Sequence, residues 1–233
     1  MPSDLDNKSA PQKRPIRSYV IRSGRLTLSQ RKAIDQYWQQ YIIEFQTNPL
    51  QLENVFPANL PLIVEIGFGM GDSLLEMAIA NPESNYLGIE VHRPGVGKLL
   101  NGIDANQLSN LKLVCHDAKE VLQHCLVDES IDKLLIFFPD PWHKKRHNKR
   151  RLVQAEFIEL LSRKLKHAGE IHLATDWKPY AEHMMEVMQS IDSLSNSIGD
   201  SAYWASPARP VTKFERRGQR LGHGVWDLLF RKN

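Results

Sequence analysis

The sequence has little cysteine. Cys115 and Cys125 are its only two, ten residues apart and without a CxxC pair. That excludes a disulfide framework and argues against a cysteine zinc site, so both read as small buried thiols. Long apolar runs are missing too. No stretch approaches the ~20 apolar residues that a membrane-spanning helix needs. The opening MPSDLDNKSAPQKRP carries no apolar segment of the secretory kind. The nine histidines show no metal-ligand spacing, so no metal is expected. These absences predict a soluble, cytoplasmic, metal-free protein. What is present is enough for a core: 233 residues, 42% hydrophobic and 24% charged, allow one large domain or two small ones.

Net charge is only +3, but it is unevenly spread. Residues 1–32 hold eight Lys/Arg against Asp4 and Asp6, and residues 142–151 (WHKKRHNKRR) hold six and no acid. Residues 52–141 instead hold thirteen acids and five bases. Basic flanks around an acidic half point to one polyanionic partner and one that is not.

Residues 1–28 are polar, basic and interrupted by Pro2, Pro11 and Pro15, and they are expected to form a mostly disordered arm. Residues 29–233 are expected to form a single domain. Ile34, Trp38, Tyr41, Ile42 and Phe45 fall at helical spacing, with Ser29 as the expected cap. Strand and helix then alternate. Strands are expected at 62–66, 86–91, 111–115, 133–138, 171–174 and 225–230, and helices at 72–80, 94–101, 118–126, 152–165 and 177–191. Residues 192–208 read as a loop. The run KLLIFF at 133–138 is almost wholly apolar, as in a strand buried on both faces. The fold class is therefore α/β: a doubly wound, mostly parallel sheet with helices on both faces.

The first strand runs into Val64-Glu65-Ile66-Gly67-Phe68-Gly69-Met70-Gly71-Asp72. A dinucleotide site needs GxGxxG, which would place a third glycine where Asp72 stands, and a carboxylate there would repel pyrophosphate. An acid two residues before GxGxG resembles instead the turn of S-adenosylmethionine-dependent methyltransferases. That cofactor has no phosphates and carries a sulfonium and an ammonium, so nearby carboxylates are favourable. Glu90, ending the second strand, can accept from ribose hydroxyls. Asp117, after the third, sits where an acceptor for the adenine amino group is often placed.

After the buried fourth strand comes Phe138-Pro139-Asp140-Pro141-Trp142, where two prolines stiffen a turn around Asp140 and Trp142 offers a stacking face. Six cations follow within eight residues, a density suited to a phosphodiester backbone.

FFPDPWHKKRHNKRR and VEIGFGMG, with ATDW at 174–177, TKFE at 212–215 and LGHGVWDLLF at 221–230, resemble the bacterial tRNA (guanine-N(7)-)-methyltransferase family. The match spans about residues 60–233. It implies a Rossmann-like class I methyltransferase fold. It also implies methyl transfer from S-adenosylmethionine, which becomes S-adenosyl-L-homocysteine, to N7 of a guanine in the tRNA variable loop. The resemblance assigns Glu65, Gly67, Gly69, Glu90, Asp117 and Asp140 to the cofactor, with Asp140 also the catalytic residue. It assigns Lys144, Asp176, Thr212, Lys213, Phe214 and Glu215 to the substrate, and Arg146, His147, Asn148, Lys149, Arg150 and Arg151 to the RNA. The resemblance implies tRNA as the partner, no membrane, and a monomer or a homodimer. Two rivals stand beside this reading. One is an amino-methyltransferase acting on adenine or cytosine, whose proline turn PDPW approximates. The other is a non-enzymatic RNA-binding protein on the same fold. Asp176 could also simply cap the next helix, and Glu215 could pair with an arginine.

Overall fold

In the computed structural model, which describes residues 18–19, 24–211, 215 and 224–233, the apolar runs of the sequence become one seven-stranded sheet. Strands β1 (Leu62–Ile66), β2 (Asn85–Ile89), β3 (Leu111–Val114), β4 (Ile131–Phe137) and β5 (Leu165–Thr175) run parallel. β7 (Trp226–Lys232) is antiparallel to β5, and the short β6 (Leu194–Asn196) is antiparallel to β7. The order is β3-β2-β1-β4-β5-β7-β6. The chain leaves β1 to one side and returns to its other side at β4. The carboxyl ends of these two strands therefore flank the crevice where sheets of this type take ligands.

Successive strand residues face opposite sides, and each side has its own apolar layer. On one side Tyr86, Leu111 and Leu113 pack with α1 (Leu28–Tyr41), α3 (Asp72–Ala80) and α4 (Arg93–Ala105) through Ile34, Leu74, Leu99 and Leu100. On the other, Val64, Leu87, Leu134 and Ile136 pack with α6 (Ala155–Lys164) and α7 (Lys178–Gln189) through Ile158, Leu161 and Met184. In β4, Leu134, Leu135, Ile136 and Phe137 are all buried, as a strand covered on both faces requires. Each such side chain contributes about 1.5–3 kcal/mol of transfer free energy.

Several boundaries differ from the sequence reading, each for a local reason. Thr27, not Ser29, caps α1: its hydroxyl accepts from the Gln30 N–H, and the Gln30 side chain accepts from the Thr27 N–H. The helix expected over 118–126 is one α turn, α5 (Ala118–Glu120), followed by a π turn over Val121–Cys125. There the Cys125 carbonyl is taken by the Leu50 N–H and the Cys125 thiol lies on the Gln46 carbonyl, so the segment is tied to the chain before β1. α2 (Leu52–Val55) is a single turn in that same connection. β5 begins at Leu165, directly after α6, and bulges against β4 between the Ile131 and Lys133 pairings. β6 lies inside the expected loop, and only Leu194 of its three residues is buried.

The packing that fixes the crevice is close. α4 approaches the turn after β1 so tightly that a Cβ on Gly95 would lie 1.8 Å from the Gly69 carbonyl oxygen. Gly95→Ala is expected to lower stability by about 1–3 kcal/mol, read from urea unfolding; an unchanged midpoint would show that the contact is not built as described.

Candidate functional site

The turn after β1 owes its shape to glycine. Gly67 and Gly69 have φ of +75° and +58°, and a Cβ on either would meet nothing within 4 Å. Their backbone therefore borders open space beside the ends of β1 and β2, the kind of cradle a ligand fills. Met70 is partly exposed at the tip.

Three carboxylates stand at or just beyond the ends of the three successive strands β1, β2 and β3. Glu65, in β1, is 3% exposed, and its Oε2 has no hydrogen-bond partner. Burial first, and the charge of Glu90 second, push its carboxyl up to about 8. Glu90 is held by its own chain: the Gly69 N–H donates to Oε2 at 2.8 Å, and the Val91 and His92 N–H groups donate to Oε1 at 2.7 and 2.9 Å. A carboxylate offers roughly four lone-pair sites, so Glu90 fixes the glycine turn and still keeps an acceptor. Asp117 caps α5 by accepting from the Lys119 N–H at 2.9 Å with one oxygen, which leaves the other available. An orphaned buried carboxylate, two further acceptors and an uncovered glycine turn suit a cationic, hydroxyl-bearing ligand and disfavour a pyrophosphate. The residues present thus fit S-adenosylmethionine.

β4 ends next to this cradle. Its exit is bent twice: Phe138 and Trp142 have φ of +52° and +47°, at the two ends of Pro139-Asp140-Pro141. Such non-glycine conformations cost of order 1–3 kcal/mol each and concentrate at functional sites. Asp140 is exposed and has no hydrogen bond or ion pair among the described residues. The side chains of Lys144 and Asp176 likewise have no partner among the described residues. Asp176 follows β5 and does not cap α7, whose N-cap is Trp177 with no side-chain bond. The structure thus brings Asp140 and Asp176 to the ends of two adjacent, hydrogen-bonded strands.

The basic run forms a 3-10 helix over Lys145–Arg150, and Lys144, Lys145, Arg146, Lys149 and Arg150 are exposed. Desolvation first, then Arg146, Arg150 and Lys144, hold the His147 imidazole below its usual range, so it adds a neutral donor and no charge. Asn148 is half-buried, and its carbonyl accepts from the Gln154 side chain. Trp142 does not offer two free faces: the Arg150 guanidinium lies 5.1 Å from its ring centroid, and His147 meets it edge-on at 5.8 Å. Its indole N–H donates to the Ser18 carbonyl at 3.0 Å, so part of the basic arm reaches the site.

Two expected roles need correction. Arg151 is 6% exposed and turned inward, so the surface open to a polyanion does not include it. Glu215 is 7% exposed and paired with Arg209 at 2.5 Å, because that buried guanidinium needs countercharge; it does not stand open to a base edge. Thr212, Lys213 and Phe214 lie outside the described residues, as does most of the arm.

Sequence reasoning missed Arg209. It is 2% exposed in its side chain and bonds Asp227 through Nε and Nη2 at 2.7 and 2.8 Å. Asp227 also bonds His172 at 2.7 Å. Burial holds the His172 imidazole down, only partly offset by Asp227, so the positive charge belongs to Arg209. Burial raises the Asp227 carboxyl, but Arg209 and His172 more than reverse this and leave it lowered. The guanidinium carbon of Arg209 lies 5.3 and 5.5 Å from the rings of Phe137 and Phe138, under the exit of β4. No periodicity marks this arginine in the sequence. Its only signal is its place just before TKFE.

Comparison with known proteins identifies the family and the fold. Residues 59–228 match a family model described as "Putative methyltransferase". The chain is 53% identical over 232 residues to the tRNA (guanine-N(7)-)-methyltransferase of Pseudomonas putida (strain W619), covering 99% of this chain and 96% of that one. It is 55% identical over 220 residues to the protein of the same name from Serratia proteamaculans (strain 568), covering 94% and 92%. Among solved structures, the 16S rRNA methyltransferase KamB superposes with a TM-score of 0.59 at 14% identity, over 81% of this chain and 95% of that one. At that identity the likeness is one of fold, and the fold is the Rossmann-like methyltransferase sheet read from the sequence.

The buried Glu65 has a consequence for stability. Its carboxyl titrates near 8 in the folded chain and near 4.5 when unfolded, so the protein favours its protonated form. The associated stability is fully present below the lower value and is lost as pH rises through the upper one, at most about 1.4 kcal/mol per pH unit. The ligand-free protein should therefore weaken between pH ~5.5 and ~8, and Glu65→Gln should flatten that decline. Urea titrations at both pH values decide; an equal decline in the variant would refute the assignment.

Proposed function

The chain belongs to the tRNA (guanine-N(7)-)-methyltransferase family; from that premise we propose that it transfers a methyl group from S-adenosylmethionine to N7 of a guanine in the tRNA variable loop, in the cytoplasm. The observation that carries this is the pair of unpaired carboxylates, Asp140 and Asp176, at adjacent strand ends beside an open glycine turn. Within this reading residues 29–233 are one catalytic domain, and residues 1–28 are a basic arm that reaches the tRNA. Among the described residues no helix is long and apolar enough to cross a membrane.

Gly67, Gly69, Glu65, Glu90 and Asp117 would hold the cofactor, which would supply an electrophilic methyl on a cationic sulfur. Guanine N7 presents a lone pair and no proton, so no general base is needed. Methylation at N7 leaves the purine ring positively charged. Asp140, fixed between two prolines, stabilises that charge and holds the base in line. Asp176 accepts from the guanine N1–H and amino group, an edge on which adenine lacks both donors. Lys144 and the exposed cations of the 3-10 helix meet phosphates, each contact adding about −0.9 to the log–log salt slope on duplex. Thr212, Lys213 and Phe214 are assigned to the substrate on the family resemblance alone. Glu215 itself is held by Arg209.

Methyl transfer from labelled S-adenosylmethionine to unmodified tRNA, with nucleoside mass spectrometry and site mapping, tests the reading. 7-Methylguanosine in the variable loop is expected; methylated adenine or cytosine would replace it with the amino-methyltransferase reading. Asp140→Asn should retain part of the activity, with no steep pH dependence near neutrality. Asp176→Asn should lose about 1–3 kcal/mol in kcat/KM with cofactor affinity unchanged. A loss confined to cofactor binding would contradict Asp176's role.

A further inference from the structure

We propose that Arg151 is a positioning residue for methyl transfer, tying the strand exit that carries Asp140 to the one that carries Asp176. The inference rests on the function proposed above.

Arg151 ends a run of cations whose other members face solvent, yet it is 6% exposed. Its Nε donates to the Pro141 carbonyl at 3.0 Å, one residue beyond Asp140. Its guanidinium carbon lies 5.4 Å from the ring of Trp177, one residue beyond Asp176, and 5.0 Å from the ring of Tyr180. A single planar group thus touches the neighbour of each unpaired carboxylate. Tyr180 is fully buried, and its hydroxyl accepts from the Val153 N–H at 3.4 Å, so the platform under the guanidinium is fixed.

Two features show that this contact has a purpose. Arg151 has no carboxylate partner among the described residues, and a buried cation without one is costly unless other groups replace its water. Here two aromatic faces and one carbonyl do so. The Asp140 turn also needs an outside hold, because it has a left-handed non-glycine residue at each end. The bond to the Pro141 carbonyl falls inside that turn. Lysine cannot reproduce the arrangement: an ammonium is a point charge that neither stacks on aromatic rings nor keeps a planar fork.

The test compares Arg151→Lys, Arg151→Met and Arg150→Gln with the full-length wild type on tRNA. Single-turnover rates are measured at saturating tRNA and cofactor, normalised to cofactor-binding sites, alongside the salt slope of tRNA binding. Misplacement of about 1 Å near reacting atoms costs up to ~100-fold. Arg151→Met should therefore fall by about 100-fold in rate and Arg151→Lys by about 10-fold. Both should keep their cofactor affinity and salt slope. Arg150→Gln should show its effect in KM and flatten the slope by about one contact. A flattened slope in the Arg151 variants would make Arg151 an RNA contact and overturn the proposal. So would an unchanged rate per binding site with a lower Tm, which marks a purely structural role. Should Arg151→Met fail to fold, the milder Arg151→Lys decides the matter by the same rate and slope. A wild type that makes no 7-methylguanosine would sink the functional reading and this inference together; an active wild type with unaffected Arg151 variants sinks only the inference.

Discussion

The site depends on a buried arginine between carboxylates. Arg209 binds both oxygens of Asp227 in β7 and pairs with Glu215. Its guanidinium lies under Phe137 and Phe138. Removing one member of such a buried set leaves an uncompensated charge, at a cost of about 3–5 kcal/mol. The whole set is weaker evidence for net stability than for arrangement. It joins the last strand and the segment before it to the exit of β4, which is far away in sequence. His172, from β5, closes the set while staying neutral, so it adds a donor and no second cation. The strained exit of β4 therefore rests on a charged floor that the sheet builds only when β7 has inserted antiparallel beside β5.

Glu90 organises the turn after β1 through its own hydrogen bonds. Its oxygens hold the Gly69, Val91 and His92 N–H groups, so the carboxylate pins the glycine turn to the end of β2. Nearby, the Glu65 Oε2 has no such bond. One acid is satisfied and organises the backbone; the other is buried, unsatisfied and inclined to keep its proton. A cationic ligand gives the second the countercharge that the protein withholds. The two acids divide one task between geometry and charge.

Much of this was legible in the sequence where a signal is local. β1 and α3 were bounded to the residue, because an apolar run, a glycine turn and an Asn-Pro stop lie in one short stretch. The burial of β4 on both faces followed from its unbroken apolar run. Glu65, Glu90 and Asp117 were marked by their positions at strand ends. β6 was not legible, since a three-residue edge strand with one buried side chain exists only because β7 pairs with it. The inward turn of Arg151 was hidden for a related reason. In a run of identical charges nothing local distinguishes the one that meets Trp177 and Tyr180, which arrive 26 and 29 residues later. Arg209 was missed because its partners come from β7 and the β4 exit.

The small net charge of +3 conceals a separation that the fold makes functional. Carboxylates gather where β1, β2 and β3 end, and exposed cations gather on the 3-10 helix after β4. These two fields lie on the same edge of one sheet. At physiological salt, charges are screened over about 8 Å, so each field acts on what touches it and only weakly on the other. A polyanion is drawn to the cationic helix and repelled from the acidic cradle, while a small cation has the opposite preference. Between them the β4 exit places Asp140, an exposed carboxylate with no hydrogen bond or ion pair among the described residues. A reaction that moves positive charge from one ligand to the other needs its negative charge at that boundary and nowhere deeper, where burial would favour the protonated form, as it does at Glu65.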